Sequence, residues 1–451
     1  PPVLLLYFLT PDRWKNLTLL LSSLVFYGWG EPRFLLFMLA AIAQGYAFGR
    51  LMERYPRHKR LFLILSAVLS LSLLGYCKYA GFFLRTLGAL TGLSLPALQI
   101  ALPIGISFYT FQVLSYVIDV YRGTVPPQRN LLQLATYVAM FPQLIAGPIV
   151  RYADIAPELI RRRHTLTDAA AGARRFVVGL GKKVLIANVL YELMSAFLQS
   201  TQPSVLFTWL YAVACALQIY FDFSGYSDMA VGLGRIFGFH FPENFRYPFL
   251  SGSVTEFWRR WHISLGSWFR DYVYIPLGGS RCSRSRWLLN VFLVWGLTGL
   301  WHGAAWNFVL WGLFFAVLLA AEKLWYGHGL EKTRLLKHLY MLPLLAVSFV
   351  LFHAADLPAA GQRIAALFGF GGLPASGVES LYYLRSYAVV LVIALLGATP
   401  LPAKAVQRLR DTSAGSAVLS VAEPVALVLL LALCTAYLVD GSFNPFLYFR
   451  F

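Results

Sequence analysis

The stretch that decides the fold is WLLNVFLVWGLTGLWHGAAWNFVLWGLFFAVLLAA, residues 287–321, because none of its 35 residues is Asp, Glu, Lys or Arg. As one helix it would be roughly 52 Å long, well beyond the ~30 Å hydrocarbon core of a bilayer. The stretch is therefore expected to break, at Gly296, Gly299 or Gly303. His302 lies beside the last of these glycines. An ionisable side chain at such a break usually faces a cavity and has a function, the alternative being a hydrogen bond to a neighbouring helix.

The composition extends this reading to the whole chain. Of its 451 residues, 58% are hydrophobic and only 13% are charged, whereas soluble proteins carry about 25% charged residues. Apolar runs recur from end to end, and several are shorter than the ~20 residues that a spanning helix needs. We therefore predict an all-α polytopic membrane protein with about eleven spans plus re-entrant or interfacial helices.

The net charge of +18 is concentrated in short loops between apolar runs. Four loops carry most of it, at 50–60, 161–183, 281–286 and 404–410. This is the positive-inside pattern of membrane proteins, so we assign these loops to the cytoplasm and expect no nucleic-acid partner. Anionic lipid headgroups, or an anionic cytoplasmic donor, would be attracted to the same faces.

The segment 254–275 is too polar for a lipid-facing span and too aromatic for a solvent loop. Phe257, Trp261, Trp268 and Tyr272 recur at helical spacing. Glu256 and Arg260 have the spacing of an i,i+4 ion pair. The pattern predicts one amphipathic helix that dips into the membrane and lines a polar cavity. A purely interfacial helix is the alternative.

Two histidines, His262 and His302, are the candidate catalytic residues. Neither lies in a metal-binding pattern, the four cysteines are scattered, and no nucleophile elbow or phosphate-binding loop occurs. We therefore expect no metal site. An imidazole in a low-dielectric cavity stays neutral and can act as a general base. Such a base could activate an alcohol toward a thioester.

Distinctive motifs occur along most of the chain, among them YVAMFPQLIAGPIVRY (137–152), YFDFSGYSDMAVGLGRIFG (220–238), NFRYPFLSGSVTEFWRRWHISLGSWFRDYVYIPLGG (244–279) and WGLTGLWHGAAWNFVLWG (295–312). In these motifs the chain resembles the membrane-bound O-acyltransferases, in particular the branch that O-acetylates alginate. The resemblance implies that His302 is the essential catalytic histidine and His262 the second one. It also implies a ring of helices around a central funnel and a narrow tunnel.

The resemblance further implies the substrates, the partner and the location. The donor would be a cytoplasmic thioester such as acetyl-CoA, used as substrate, with no tightly bound cofactor. The acceptor would be an extracytoplasmic polysaccharide such as alginate, reached through a periplasmic serine-esterase-like partner of the SGNH type. The protein would be a multi-pass protein of the bacterial inner membrane. We expect a single transmembrane domain (1–451), with N-terminal helices (1–240), a catalytic core that holds both histidines (241–325), and C-terminal helices (326–451) that end in an aromatic tail (441–451).

The tail FNPFLYFRF (443–451) carries five aromatic residues, which favour burial over exposure to water. It follows an apolar run that is expected to end outside the cytoplasm. We hypothesise that the tail folds back into the funnel and that Tyr448 is a transient acetyl carrier, as the resemblance suggests. The alternative is an interfacial aromatic anchor.

Five further residues are candidates for orienting the histidines or binding the donor: Asp222, Asn244, Arg259, Trp301 and Asn307. The polar ones could equally be hydrogen bonds between helices. Two rival functions also remain at this stage, a secondary transporter of a polar solute and a non-catalytic scaffold of a polysaccharide synthase. The charge-free run around His302 offers no acidic residue for cation coupling, which counts against the transporter.

Overall fold

The computed structural model describes residues 1–96, 98, 100–333 and 335–441. Over these ranges all regular structure is helical and no strand occurs. The prediction of an all-α membrane protein is confirmed, whereas the number of eleven spans stays a prediction. Seven segments of the described chain are long and apolar enough to cross a bilayer: Pro32–Arg54, Pro56–Thr91, Val205–Ile236, Trp306–Tyr326, Leu336–His353, Val378–Gly397 and Ser413–Asp440.

The first of two compact units comprises Pro1–Gly172 and Ala230–Pro242. Nine α-helices begin and end within its described residues: α1 (Pro2–Leu9), α2 (Lys15–Gly30), α3 (Leu35–Arg54), α4 (Lys59–Leu74), α5 (Ala80–Thr91), α6 (Ile106–Arg122), α7 (Leu131–Ala139), α8 (Phe141–Leu144) and α9 (Tyr152–Ile160). Helix α6 is buried along nearly its whole length, and its Tyr109, Tyr116 and Val117 are fully enclosed.

The second unit comprises Ala173–Met229 and Glu243–Phe451 and contains both candidate histidines. The remaining helices lie wholly or mainly in it: α10 (Leu166–Gly181), α11 (Asn188–Gln199), α12 (Val205–Ile236), α13 (Val254–Arg260), α14 (Ile263–Phe269), α15 (Arg284–His302), α16 (Trp306–Ala321), α17 (Gly327–Glu331), α18 (Leu336–His353), α19 (Leu357–Leu367), α20 (Val378–Gly397), α21 (Leu401–Arg410) and α22 (Ser413–Asp440). Its core is built by side chains of α11, α12, α13, α16 and α18.

The charge-free run folds into a tight hairpin of α15 and α16. The chain breaks directly after His302, where Gly303 is extended, so Gly303 marks the break as predicted. Gly296 and Gly299 do not break the helix; both lie inside α15. Gly299 serves packing instead, because a Cβ atom there would collide with the backbone of Phe308 on α16. The glycine lets the two helix backbones touch.

The segment 254–275 does not form the single helix that its periodicity predicts. It forms α13, then α14, and then a π-helical turn from Arg270 to Tyr274. The break falls at His262, which adopts a left-handed backbone conformation with φ 44° and ψ 52°. The predicted apolar face is nevertheless buried, and Arg260 pairs with Glu256 at 2.6 Å. Local periodicity gave the buried side correctly, but contacts from distant residues override helix continuity.

Candidate active site

The two histidines lie side by side within the second unit. Their ring centroids are 6.2 Å apart. The exposed fraction is 1% for His262 and 3% for His302. They reach this position from opposite directions, since His302 ends α15 whereas His262 precedes α14. Two buried imidazoles at this spacing can both contact one small reacting group.

Aromatic rings enclose the His302 imidazole. The ring centroids of Trp301 and Trp311 each lie 5.1 Å from it, and that of Phe352 lies 5.3 Å away. All three rings stand nearly perpendicular to the imidazole, the edge-to-face arrangement that aromatic pairs prefer. Rings packed in this way restrict the imidazole to one orientation and displace water from its faces.

The backbone of His262 is strained. Tyr247 and His262 are the non-glycine residues with positive φ in the described part of the chain. Such a conformation costs on the order of 1–3 kcal/mol and persists only where the surroundings impose it. The imidazole packs against Phe223 at 4.6 Å and Trp301 at 5.6 Å between centroids. Strain at a buried histidine is typical of a functional position.

The ring of His262 is held neutral. It lies in the turn between α13 and α14, outside the seven candidate spans. Burial holds the pKa of His262 well below its usual value, and the neighbouring His302 lowers it further. Neither ring nitrogen of His262 has a hydrogen-bond partner among the described residues. A neutral imidazole with both nitrogens available can donate one hydrogen bond and accept another.

Asn244 imposes the turn at His262. Its backbone carbonyl accepts a hydrogen bond from the amide of Ile263 at 3.0 Å. Its side-chain Oδ1 accepts from the Ser264 amide at 3.3 Å and from the Ser264 hydroxyl at 2.9 Å. Its Nδ2 donates to Ser227 Oγ on α12 at 3.1 Å. Asn244 therefore fixes the first residues of α14 to α12 and with them the position of His262.

A second polar anchor holds the start of α13. Glu322, which is 5% exposed, follows the last residue of α16. Its carboxylate accepts hydrogen bonds from the amides of Val254 and Thr255 at 2.6 and 3.0 Å, and from the Thr255 hydroxyl at 3.0 Å. A carboxylate at a helix N-terminus satisfies amides that have no intrahelical acceptor. Glu322 thereby ties α13 to the hairpin that carries His302.

The other candidate residues take different places. Asn307 donates from Nδ2 to the carbonyls of Phe352 and Ala354 at 3.5 and 3.1 Å, which joins the start of α16 to the end of α18. Asp222 is buried in an ion pair with Lys183 at 2.6 Å. Arg259 is exposed on α13. Tyr448 lies outside the described residues.

Sequence reasoning missed two residues of this site. Trp311 lies in the same charge-free run as His302, among several aromatic residues that are typical of a lipid-facing helix surface. Glu322 could have been recognised in the sequence, because it is the first charged residue after that run. A carboxylate at the edge of a long apolar segment is expensive to bury without a partner, so it could have been identified as an anchor.

The arrangement can support proton transfer to and from a small reacting group. A histidine with a hydrogen-bonding nitrogen can remove a proton from a hydroxyl group, provided that water is excluded and the ring is fixed. Over the described residues, no group of three or more His, Cys, Asp or Glu side chains is arranged to hold a metal ion. General acid–base chemistry by the histidines is therefore the reaction type that these side chains can supply.

Comparison with known proteins identifies a family to which this chain is similar. Residues 127–354 match the family model of the membrane-bound O-acyltransferases. The chain is 41% identical over 486 aligned positions to the probable alginate O-acetylase AlgI of Azotobacter vinelandii, covering 100% of this chain and 97% of the relative. It is 32% identical to the peptidoglycan O-acetyltransferase of Helicobacter pylori, covering 81% and 77%. A teichoic acid D-alanyltransferase of Bacillus subtilis is 32% identical over 48% of this chain.

The family match covers both histidines, both anchors and the hairpin. The first two relatives align over most of this chain at 30% identity or more. Together with the apolar helices, these findings describe a multi-pass bacterial membrane protein that is an O-acyltransferase. The chain belongs to the membrane-bound O-acyltransferase family.

Proposed function

We propose that this protein transfers acetyl groups from a cytoplasmic thioester, acetyl-CoA, for the O-acetylation of an extracytoplasmic polysaccharide such as alginate. The observation that carries the proposal is the pair of buried imidazoles 6.2 Å apart in a chain whose relatives are named as O-acetylating enzymes of alginate and of peptidoglycan. The alginate relatives align over more of this chain, which favours a polysaccharide of that kind.

His302 is proposed as the general base. Its nitrogen would take the proton of the attacking hydroxyl as the oxygen bonds to the thioester carbonyl carbon. His262, neutral and strained beside it, would hold the donor or the acceptor by hydrogen bonds from its available nitrogens. Asn244 and Glu322 would keep that ring in place.

The donor side is supported by the charges at the start of α15. Arg281, Arg284 and Arg286 are exposed there, in a loop assigned to the cytoplasm. An anionic donor such as acetyl-CoA would be attracted to these guanidinium groups. The 19 residues of α15 place His302 roughly 27 Å farther along the helix axis. The base would thus act at a depth that only the extended thioester arm of the donor reaches.

The acceptor side includes the proposed relay. The attacking hydroxyl would be the phenol of Tyr448, which would take the acetyl group as the C–S bond breaks and then pass it to a periplasmic serine-esterase-like partner. A phenol, with a pKa of about 10, loses its proton far more readily than a sugar hydroxyl. The aryl ester would be reactive enough to pass the acetyl group on.

Purified protein in detergent with radiolabelled acetyl-CoA tests the proposal. Thioester turnover and protein labelling are followed in wild type, His302→Ala and Tyr448→Phe. His240→Ala is the matched control, since His240 is 55% exposed and pairs with Glu158. We expect turnover to be abolished in His302→Ala and normal in His240→Ala, with label on the C-terminal peptide of wild type.

The same experiment separates the alternatives. Turnover in Tyr448→Phe equal to wild type, with no tail label, would remove the relay but keep the enzyme. Turnover that survives in His302→Ala would overturn the assignment of the base. Adding short alginate or peptidoglycan fragments, with the purified partner, then shows which acceptor is labelled. Polysaccharide modification that is intact in cells carrying His302→Ala would instead favour a scaffold.

A further inference from the structure

The indole N–H of Trp311 is a buried donor that the fold does not use. Trp311 is 1% exposed, and its Nε1 has no acceptor among the described residues. Buried indole groups usually find a hydrogen-bond partner, and an unsatisfied one calls for an explanation. Phenylalanine would supply an aromatic ring at this place without a donor, as Phe315 does one turn later on α16.

The position of this donor is fixed next to the proposed base. The ring centroids of Trp311 and His302 are 5.1 Å apart and the rings are perpendicular. Phe352 contacts both rings, at 5.0 and 5.3 Å. Asn307, at the start of the same helix, anchors α16 to the backbone around Phe352. An indole ring packed against the imidazole brings its N–H to the neighbourhood of the carbonyl group on which that imidazole would act.

A second indole next to Trp311 shows the same feature. The Nε1 atom of Trp258 is also buried without an acceptor among the described residues, and its ring centroid lies 5.6 Å from that of Trp311. Trp295 completes the cluster at 4.5 Å from Trp258 but is only half-buried. Two buried indole donors without acceptors among the described residues are therefore neighbours, and one of them, Trp311, packs against His302.

Acyl transfer needs a donor of this kind. When a hydroxyl oxygen bonds to the thioester carbon, the π electrons of the carbonyl move to its oxygen, and the hydroxyl proton passes to His302. The electron pair then returns, the C–S bond breaks, and the thiolate leaves with the proton from His302. Fixed hydrogen-bond donors that stabilise the transient oxyanion are commonly the largest single contribution to such catalysis.

We propose that the indole N–H of Trp311 is the oxyanion donor of this enzyme, hydrogen-bonded to the acyl carbonyl oxygen of the thioester. The proposal rests on the acyl-transfer function proposed above. It assigns a catalytic role to a residue whose aromatic character alone suggests core packing.

A substitution at position 311 that removes the indole N–H and keeps the aromatic ring tests this role. Nonsense suppression introduces 3-benzothienylalanine, which has sulfur in place of the indole N–H, at position 311 of the full-length protein. We expect kcat to fall by about 10²–10³-fold, the loss typical of one oxyanion donor, while KM for acetyl-CoA changes little. The same replacement at Trp295 is the matched control and should leave kcat within about twofold, because its ring packs on Trp258 and Phe315 and its N–H is not among the buried groups that lack an acceptor.

A second measurement reports on the hydrogen bond itself. In the His302→Ala background, where the thioester persists, the infrared carbonyl stretch of bound [1-13C]acetyl-CoA should shift to higher frequency when position 311 loses its N–H. A purely structural role would lower the melting temperature without this shift.

The two proposals fail in different ways. A wild-type kcat and an unchanged carbonyl frequency in the analogue-containing enzyme would overturn the role of Trp311 and leave the function standing. Absence of thioester turnover in the wild-type protein, with the N–H intact, would instead contradict the proposed function. Trp311→Phe gives the same kcat comparison if the analogue is poorly incorporated.

Discussion

The two histidines stand at chain breaks that are built in opposite ways. The break after His302 is made by apolar packing, where glycines let α15 and α16 touch and aromatic rings enclose the imidazole. The break at His262 is made by polar anchors, Asn244 on one side and Glu322 on the other. The first needs no unusual backbone at the histidine, whereas the second holds a left-handed residue.

The difference separates two tasks of one site. Close packing of backbones is unforgiving, because protein interiors tolerate little overlap. Close packing therefore suits His302, the proposed base, whose ring must keep one orientation. A turn held by several side-chain hydrogen bonds loses only part of its stability when one of the bonds is removed. Substitutions at the hairpin should thus cause all-or-none losses, and substitutions at the anchors graded ones.

The largest effect is expected for Gly299→Ala. The added methyl group would collide with the carbonyl of Phe308, and overpacking of this kind costs about 3 kcal/mol or more when backbone must move. We expect loss of turnover and a much lower yield of folded protein in detergent. Gly296→Ala on the same helix is the control, since its Cβ would meet only Leu313 at an ordinary 3.8 Å. Equal melting temperatures for the two variants would contradict the packing argument.

An intermediate effect is expected for Asn244→Ala. The change removes the hydrogen bonds to Ser264 and Ser227 and should destabilise the protein by about 2–3 kcal/mol. Because it frees the turn at His262, kcat should also fall about tenfold to a hundredfold, as small misplacements of catalytic groups do. Thermal unfolding measures the loss of stability, and thioester turnover below the melting temperature measures kcat.

Asn290→Ala provides the comparison for Asn244. Asn290 is equally buried, and its Nδ2 donates to the carbonyls of Leu277 and Gly279 at 3.2 and 3.3 Å, in a turn that carries no histidine. It should lose similar stability but keep kcat within about threefold. A matching fall in kcat for both variants would mean that Asn244 acts on stability alone.

The smallest effect is expected for Glu322→Gln. The amide keeps one acceptor oxygen and has an NH2 group in place of the other, so at least one hydrogen bond to the start of α13 is lost, at a cost of about 1–2 kcal/mol. Turnover should fall by less than about tenfold. Glu256→Gln is the control, because Glu256 pairs with Arg260 while 38% exposed, where solvent screening leaves such pairs worth little. A larger loss for Glu256→Gln in chemical or thermal unfolding would contradict the anchoring role.

Much of the fold and part of the site followed from the sequence. The charge-free run predicted a helix break at one of three glycines, and the break falls at Gly303. Both histidines could be singled out, since ionisable groups in apolar surroundings are rare. The role of Gly299 could not be predicted, because the sequence does not distinguish a glycine that breaks a helix from one that packs against a neighbouring helix.

Composition, periodicity and charge by themselves determined that this is a helical membrane protein and which faces of its helices are buried, and they singled out two histidines as candidates. These properties are local, so a single chain displays them. The tertiary structure decided where the helix around His262 breaks, that the backbone there is left-handed, that Asn244 and Trp311 lie at the histidines, and that Glu322 holds the start of α13. Those outcomes depend on hydrogen bonds and ring contacts between residues far apart in the chain, whose energies outweigh the helical preference of 254–275.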